Sequence, residues 1–212
     1  MKIISMSLFG TDTRYADGAI KNAILAKKYF PEWRLRIYTD YPHDSEYINE
    51  LKLFDNVDIY PPVTNIVSGY FWRFMPAFES DDNIVLVRDT DSRLSLREKT
   101  CVDAWLDSDA RYLIIRDHPT HYEFPMLAGM WASKGKLNNE FLYELYIYDS
   151  EPKYFVDQIY LGNVVWRNDA HDNSMIIGIH ENQEFANSRK LVGNDFVGQG
   201  YYGNDIPIYP NV

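Results

Sequence analysis

The sequence has little cysteine, little positive charge and no long apolar run. Cys101 is the single cysteine among 212 residues, which excludes an internal disulfide framework. It lies in a helical pattern beside Val102 and Trp105, where a small buried side chain is a simpler interpretation than a nucleophile. No apolar run approaches the roughly 18 residues that a membrane-spanning helix needs. We therefore expect a globular protein without a membrane span.

The shortage of positive charge bears on possible partners. Lysine and arginine number 21 against 31 aspartate and glutamate residues, which gives a formal net charge of −10 at pH 7. Affinity for nucleic acid comes mainly from cationic side chains that neutralise phosphates, so this balance argues against a nucleic-acid partner. A small phosphorylated ligand remains compatible with it, provided that local cations or a bound metal ion neutralise the phosphates.

Targeting and glycosylation signals are also missing. The apolar start at residues 1–8 is too short for a signal peptide, and no cleavage region follows it. No Asn-x-Ser/Thr acceptor occurs in the chain. These absences lead us to expect a cytoplasmic protein.

What the chain does have is an alternation of short apolar runs with helical patterns. At 46% hydrophobic and 25% charged residues, the composition is that of a globular domain. Strands are predicted at 2–8, 34–39, 57–60, 84–87, 112–115 and 174–179, and helices at 17–30, 45–54, 70–78, 97–107, 138–148 and 153–166. Residues 128–131 are predicted to form a turn. This order predicts one α/β domain, residues 1–212, with a mostly parallel sheet flanked by helices.

Two aspartates follow the predicted strand at 84–87. Asp89 and Asp91 come after Arg88 and are separated by one residue. Alternate residues of an extended segment point the same way, so both carboxylates should converge past the end of a buried strand, where open α/β sheets bind ligands. Like charges repel there unless a cation lies between them, and hard oxygen ligands suit Mg²⁺ or Mn²⁺. The alternative is a pair of solvated loop residues.

The aspartate pair is part of a wider pattern. The stretches VRDTDSRLSLRE, IIRDHPTH, AGMW and VDQIYL begin at Val87, Ile114, Ala128 and Val156. With them the chain resembles the nucleotide-sugar-dependent glycosyltransferases of the GT-A fold, and it is similar in order to the retaining enzymes of the glycogenin and bacterial galactosyltransferase type. It is also similar to the N-terminal domain of the capsid-glycan glycosyltransferases of chlorella viruses. The resemblance implies a Rossmann-like GT-A domain, which could be part of a longer protein and, if viral, would act in the host cytoplasm.

The resemblance implies a UDP-sugar donor, a glycan or glycoprotein acceptor and a Mn²⁺ or Mg²⁺ cofactor. Asp89 and Asp91 would hold the metal ion, which would act as a Lewis acid on the leaving UDP. The family usually supplies a third ligand from a late histidine, for which His171 is preferred over His180. The lysine-tryptophan pattern that follows this histidine in the family is absent here.

The resemblance also implies roles around the donor. Asp157 and Gln158 would face the anomeric carbon, one of them as a nucleophile or as a stabiliser of the oxocarbenium-like state, and transfer would retain the anomeric configuration. Asp117 would join them as a catalytic residue and, with His118, would reach the sugar hydroxyls. The nucleotide would be bound by Ser7, Leu8, Phe9, Tyr15 and Asp40 around the uracil and by Arg73, Arg88 and Asp89 at the ribose and phosphates.

Several of these residues have a structural alternative. Arg73 could lie on the exposed face of a helix whose aromatic residues form the core, and Tyr15 could be a packing residue. His118 could be a hydrogen-bonded loop residue. Asp157 and Gln158 could lie on an exposed helical face.

Two other classes of protein remain open. A phosphatase of the haloacid dehalogenase type also uses two aspartates after a buried strand, but its motif expects Thr or Val where Arg93 stands and normally lies on the first strand. A non-catalytic carbohydrate-binding domain would use the aromatic residues, which make up 16% of the chain, for stacking. Such a domain would not need Asp89 and Asp91 to bind a metal-diphosphate.

Overall fold

A mixed sheet forms the centre of the molecule. The computed structural model describes residues 1–151, 153–179 and 196–208 of the chain. Within them lie seven strands: β1 (Lys2–Leu8), β2 (Arg34–Thr39), β3 (Val57–Tyr60), β4 (Ile84–Arg88), β5 (Tyr112–Arg116), β6 (Met130–Lys134) and β7 (Ser174–Gly178). Their order in the sheet is β3-β2-β1-β4-β6-β5-β7. β6 pairs antiparallel with both of its neighbours, and the other six described strands run in one direction.

Helices connect the strands. The α-helices of the described residues are α1 (Thr13–Tyr29), α2 (Glu46–Leu51), α3 (Gly69–Trp72), α4 (Leu96–Leu106), α5 (Asn139–Asp149), α6 (Val156–Tyr160) and α7 (His171–Asn173). A π-helical stretch at Leu161–Ala170 joins α6 to α7, and short 3₁₀ helices lie at Met75–Phe78 and Pro119–Tyr122. Among the described residues, none of these helices is both long and apolar enough to cross a bilayer.

Hydrophobic side chains pack on both faces of the sheet. On one face the alanines of α1 and the buried Trp105 of α4 pack together with strand residues such as Leu86. On the other face Phe71 of α3, Tyr160 of α6 and further aromatic residues pack with the alternate strand residues. Because successive strand residues point to opposite faces, a strand covered on both sides has no polar face, which explains the continuous apolar runs of the sequence.

The turn predicted at 128–131 is confirmed at Ala128 and Gly129, where the Met130 N–H donates to the Leu127 carbonyl (3.0 Å), but its second half is wrong. Met130–Lys134 forms β6, which is inserted between β4 and β5. Its sequence, MWASK, lacks the β-branched residues that favour strands, so tertiary packing rather than local propensity fixes its conformation. Other predicted elements differ at their ends: α1 begins at Thr13 because the Asp12 side chain accepts a hydrogen bond from the Arg14 N–H (3.0 Å) and caps it.

Candidate active site

A cavity of about 660 Å³ lies at the edge of the sheet where β1 and β4 end. β6 runs the opposite way, so its first residues, with Gly129 before them, reach the same edge. The position is that in which α/β sheets bind ligands, outside the carboxyl ends of the parallel strands. Eight of the residues singled out in the sequence line the cavity: Ser7, Phe9, Tyr15, Arg73, Asp89, Asp91, Asp157 and Gln158.

Asp89 and Asp91 both line the cavity, although the backbone that carries them differs from the prediction. β4 ends at Arg88, and the aspartates lie in the turn that follows rather than on an extended strand. Burial, together with the charge of Asp89, raises the pKa of Asp91 to about 6. Burial disfavours the charged form most and the neighbouring carboxylate adds to this, and a bound cation would oppose both effects.

The turn that carries the aspartates is held from two sides. From α1, the side chain of Asn22 donates to the carbonyls of Thr90 (3.1 Å) and Ser92 (2.8 Å) and accepts from the Leu94 N–H (3.0 Å). From the later chain, the Tyr201 N–H donates to the Asp91 carbonyl (3.0 Å). Bonds of this kind satisfy the turn's backbone groups and fix the direction of its side chains.

Two glycines let neighbouring segments approach this turn closely. A Cβ atom on Gly129 would lie 1.9 Å from Asp89 Oδ2, and one on Gly18 of α1 would lie 2.0 Å from the Thr90 carbonyl oxygen. Both distances are far below contact, so any larger residue at either position would displace the aspartate turn.

Arg73 links the two acidic parts of the cavity. Its side chain is 7% exposed, and it donates to Asp89 Oδ1 and to Asp157 Oδ2, the latter at 3.0 Å. Its backbone N–H donates to Ser7 Oγ (3.0 Å), which fixes the residue to the end of β1. Burial raises the pKa of Asp157 and the charge of Arg73 opposes that rise. The buried guanidinium thus compensates two of the site's carboxylates.

Asp157 and Gln158 stand in the first turn of α6. Asp157 Oδ1 accepts from the Gln158 N–H (2.9 Å), and the preceding Phe155 has φ +63°. The side-chain oxygen of Gln158 is buried and has no hydrogen-bond partner among the described residues. A buried amide oxygen left unpaired is costly, so a ligand group in the cavity is its natural partner.

Aromatic residues form the wall at the end of β1. The ring of Phe9 meets that of Tyr70 edge to face, with centroids 5.2 Å apart. Tyr15 accepts a hydrogen bond from Arg14 Nη2 (2.6 Å), and burial, assisted by the charge of Asp91, raises the pKa of its hydroxyl. This wall offers flat apolar surface with a polar group at its edge.

The structure does not bring three of the predicted nucleotide-binding residues to the cavity. Leu8 is fully buried in the core, because it alternates with Ser7 and Phe9 along β1 and points the other way. Asp40 lies exposed after β2. Arg88 is 1% exposed, where it pairs with Glu98 and donates to the Trp131 carbonyl (2.9 Å). These three positions correct the sequence-based placement.

Asp117 and His118 are likewise placed elsewhere. Both carboxylate oxygens of Asp117 accept from Arg97 at 2.6 Å, and Oδ2 also accepts from the Val197 N–H (3.0 Å). His118 Nδ1 accepts from the Thr120 N–H (3.2 Å), and its ring stacks on Phe196. Asp117 therefore holds the chain together instead of reaching a sugar.

The predicted third metal ligand is not at the cavity either. The His171 side chain is 66% exposed and pairs with Asp172 (2.6 Å). His180 lies outside the described residues. Among the described residues there is no group of three or more histidine, cysteine, aspartate or glutamate side chains able to hold a metal ion.

Several residues of the site were missed by sequence reasoning. His121 lines the cavity, and its Nδ1 accepts from the Asp117 N–H (3.0 Å). Tyr154 and Phe155 line it on the side of α6. A signal existed for Asn22, a polar residue among the alanines of a predicted helix, but its three backbone partners, more than sixty residues away, could not be read from the pattern.

Comparison with known proteins gives similarity in fold. No family model matches the chain, and no curated protein matches its sequence. The galactosyltransferase LgtC, solved with donor and acceptor sugar analogues, has a TM-score of 0.50 and 13% identity over 89% of this chain and 78% of its own. A 4-diphosphocytidyl-2C-methyl-D-erythritol synthase from Anaerococcus prevotii DSM 20548 has a TM-score of 0.52 and 10% identity over 90% of this chain and 97% of its own.

Two further solved structures are more distant. A glycosyltransferase involved in glycosylation of the major capsid of PBCV-1 has a TM-score of 0.47 and 14% identity over 84% of this chain and 82% of its own. TarS of S. aureus, residues 1–349, has a TM-score of 0.41, and the present chain spans 36% of its length. The likeness to LgtC confirms the predicted fold class, the mostly parallel α/β fold of the GT-A glycosyltransferases.

Proposed function

We propose that this chain is a metal-dependent glycosyltransferase that transfers a sugar from UDP to a glycan. The observation that carries the proposal is the meeting of the Asp89 and Asp91 pair, Arg73 and the Asp157-Gln158 dipeptide in one cavity. A galactosyltransferase solved with donor and acceptor sugar analogues has the same fold, which supports sugar transfer over other uses of such a cavity.

The carboxylates of Asp89 and Asp91 fit a divalent cation. Asp89 and Asp91 would hold Mn²⁺ or Mg²⁺, and the raised pKa of Asp91 marks a place where positive charge is missing. Mg²⁺ usually binds through one or two carboxylates and takes its other ligands from substrate phosphates and water, so a third protein ligand is not required. When bound, the ion would supply Lewis-acid stabilisation of the leaving diphosphate.

The wall at the end of β1 suits the base of the nucleotide. The ring of Phe9 is fixed by Tyr70, and Gly69 leaves it room, since a Cβ there would lie 2.4 Å from the ring. Tyr15 lines the cavity nearby and has its hydroxyl held by Arg14. Uracil would bind there by stacking on the fixed aromatic ring and by hydrogen bonds to backbone groups at the end of the strand.

The opposite side of the aspartate turn suits the transferred sugar. Asp157 is held by Arg73, so its charge is partly balanced and its position fixed. Gln158 presents an amide whose oxygen has no partner among the described residues. That oxygen would stabilise positive charge as it develops at the anomeric carbon, on the same face as the leaving group, which is the arrangement needed for retention.

The fold alone does not exclude nucleotidyl transfer, because a diphosphocytidyl compound synthase also shares it. Charge favours the sugar transferase. Arg73 is a cation at the described cavity wall, and it faces Asp89 and Asp157 with Asp91 close by. One divalent ion would offset the negative charge of this wall and leave only that of a nucleoside diphosphate, whereas a triphosphate with a second phosphorylated substrate would bring still more uncompensated negative charge.

A thermal-shift screen tests the proposal. UDP, GDP and CMP are each added with Mn²⁺ and, as the control, with excess EDTA. We expect UDP with Mn²⁺ to raise the melting temperature and UDP with EDTA to leave it unchanged, because a ligand that binds only the native state stabilises it by mass action. Equal stabilisation by GDP would contradict the pyrimidine pocket, and metal-independent stabilisation by UDP would contradict the metal site.

A further inference from the structure

Two exposed aromatic rings stand at the cavity wall on the side of α6. Tyr154 is 78% exposed and Phe155 40% exposed, and both line the cavity beside Gln158. Their ring centroids are 4.0 Å apart, and Phe155 also contacts Phe124 at 5.4 Å. We call Tyr154 and Phe155 the aromatic ledge. Large apolar side chains that are exposed to water beside a site indicate a binding surface.

The backbone of the ledge is in an unfavourable conformation. Phe155 has φ +63° and ψ +19°, a left-handed conformation that bulky residues rarely adopt, and its side chain makes no capping hydrogen bond to α6. Glycine would adopt this conformation without cost. The turn itself does not require a phenylalanine at this position. A role for its ring, which stands at the cavity and is two-fifths exposed, explains the residue better.

The ledge lies on the other side of the aspartate turn from Phe9, Tyr15 and Tyr70, which we call the base wall. The base wall stands at the end of β1, and Arg73 links the neighbouring Asp89 to Asp157 of α6. Phe124, which touches the ledge, follows β5, and β5 is separated from β1 by β4 and β6 in the sheet. A donor that extends from the base wall across the aspartates would therefore place its sugar between the aspartates and the ledge.

We propose that the aromatic ledge is the acceptor subsite and stacks on a neutral sugar ring, so that the acceptor is a glycan. The inference rests on the proposed function, which names a glycan acceptor, and adds the surface that binds the acceptor and the charge of its sugar. Sugar rings present an apolar C–H face that packs on aromatic rings. The acidic neighbours of the ledge, Asp157 among them, favour a neutral acceptor over an anionic one.

The reaction balances with such an acceptor. A hydroxyl oxygen of the acceptor sugar forms a bond to the anomeric carbon of the donor. The bond from that carbon to the diphosphate oxygen breaks, and its electron pair leaves with UDP. The hydroxyl proton passes to the departing diphosphate, so that no oxidant, reductant or further base is required.

Saturation-transfer NMR on the full chain tests the ledge. The probes are methyl glycosides of galactose, glucose, N-acetylglucosamine, mannose, fucose, xylose and rhamnose, each with UDP and Mn²⁺ present. The variants are Tyr154→Ala and, as a matched control, Tyr143→Ala, which removes a tyrosine of α5 that is 67% exposed and does not line the cavity. Both side chains are exposed, so neither change should disturb folding.

We expect at least one glycoside to receive saturation from the wild-type aromatic protons. Its dissociation constant should rise about 3- to 10-fold in Tyr154→Ala, as expected for loss of one aromatic contact, and stay unchanged in Tyr143→Ala. Absence of transfer to every glycoside, or equal binding by wild type and Tyr154→Ala, would overturn the proposal. The shift in melting temperature on addition of UDP is measured on the same samples. Absence of this shift would contradict the proposed transferase function, whereas glycoside binding tests the ledge independently.

Discussion

At the scale of single residues, the charge balance of the cavity depends on Arg73. Its buried guanidinium bridges Asp89 and Asp157, which come from segments 68 residues apart in the chain. Without this cation the buried carboxylate of Asp157 and the partly exposed one of Asp89 would be uncompensated, and breaking such a pair by removing one partner usually costs more than the pair contributes. Arg73 therefore both supports the fold and orders the site, so its substitution cannot separate the two roles.

Substitution of Asp91 separates support of the fold from ordering of the site better than substitution of Arg73 does. We predict that Asp91→Asn folds but binds UDP in the presence of Mn²⁺ about 100-fold more weakly, because a short-range charge interaction of a few kcal/mol is lost. Titration of UDP into Mn²⁺-loaded protein measures this. Asp40→Asn is the control, since Asp40 is exposed and lies outside the cavity. Wild-type affinity in Asp91→Asn would contradict the metal assignment.

The same variant carries a pH prediction. Folding raises the pKa of Asp91 from 3.8 to about 6, so its contribution to stability is full below pH 3.8 and is lost as the pH rises through about 6. In EDTA, Asp91→Asn should therefore melt at a higher temperature than wild type at about pH 7.5, and the difference should shrink toward about pH 4. A wild-type protein that is the more stable of the two at the higher pH would contradict this sign.

Single residues also show what the sequence can predict. Ser7 and Phe9 lie at the cavity because they alternate with Leu8 at the end of β1, and Asp89 and Asp91 because they follow the end of β4. Strand ends of this kind are local properties of the sequence. The same alternation excludes Leu8, which was nonetheless grouped with its neighbours. The sequence pattern could not predict roles that depend on residues distant in the chain. Arg97, for example, lies 20 residues before Asp117, and its guanidinium donates to both carboxylate oxygens of Asp117.

At the scale of elements, α1 acts as a support for the aspartate turn. Its buried face is made of small residues that let it approach the sheet, and Gly18 and Asn22, four residues apart and hence on one side of the helix, meet the turn itself. The segment around Tyr201 contacts the turn as well, through the Asp91 carbonyl. α1 thus positions the aspartates through the uncharged residues Gly18 and Asn22, while the charge of its Arg14 opposes the rise in the pKa of Asp91.

This support predicts the behaviour of Asn22→Leu. The change keeps the side-chain size but leaves the Leu94 N–H unpaired and removes one donor from each of the Thr90 and Ser92 carbonyls, which keep Arg93 as a donor. The free energy of unfolding should therefore fall by about 1–3 kcal/mol. Mn²⁺ affinity should also fall by about 10- to 100-fold, as for other residues that orient metal ligands. Urea denaturation and calorimetric Mn²⁺ titration measure the two effects.

Asn56→Leu is the matched control for this prediction. Asn56 is also buried, and its side chain donates to the Ala23 carbonyl (3.2 Å), but it does not touch the aspartate turn. It should lose stability and keep its Mn²⁺ affinity. Equal loss of Mn²⁺ affinity in both variants would show that general destabilisation, not positioning, weakens the site.

Elements differ in how well the sequence predicts them. The parallel strands are buried on both faces and appear as apolar runs, so their positions were predicted closely. β6 was missed because its short MWASK segment becomes a strand only between β4 and β5. The helix predicted at 153–166 begins at Val156 and runs on through π-helical residues to Asn173, an irregularity that periodicity does not reveal.

At the scale of the whole molecule, an acidic protein binds a doubly charged donor only if cations are supplied locally. The formal charge of −10 repels a nucleotide at long range. At the cavity, among the residues that the structure describes, Arg73 stands beside three aspartates, Asp89, Asp91 and Asp157. Metal loading therefore precedes useful donor affinity in our proposal. In the same proposal the sheet order would set the order of the ligands, with the base at β1, the diphosphate at β4 and the sugar toward β6 and β5.

This arrangement predicts transfer with retention of anomeric configuration. Gln158 lines the cavity and, in the proposed arrangement, would lie on the aspartate side of the sugar. There an amide oxygen can stabilise positive charge but cannot act as a strong base, and an inverting enzyme needs such a base on the opposite face. Gln158→Ala should lower kcat more than it raises KM for the donor, because the interaction is made mainly in the transition state. Asn163→Ala, an exposed amide on the continuation of the same helix, should change neither. Proton NMR of the first-formed product from a donor of known configuration decides the stereochemistry, and an inverted product would refute the role of Gln158 while leaving sugar transfer itself intact.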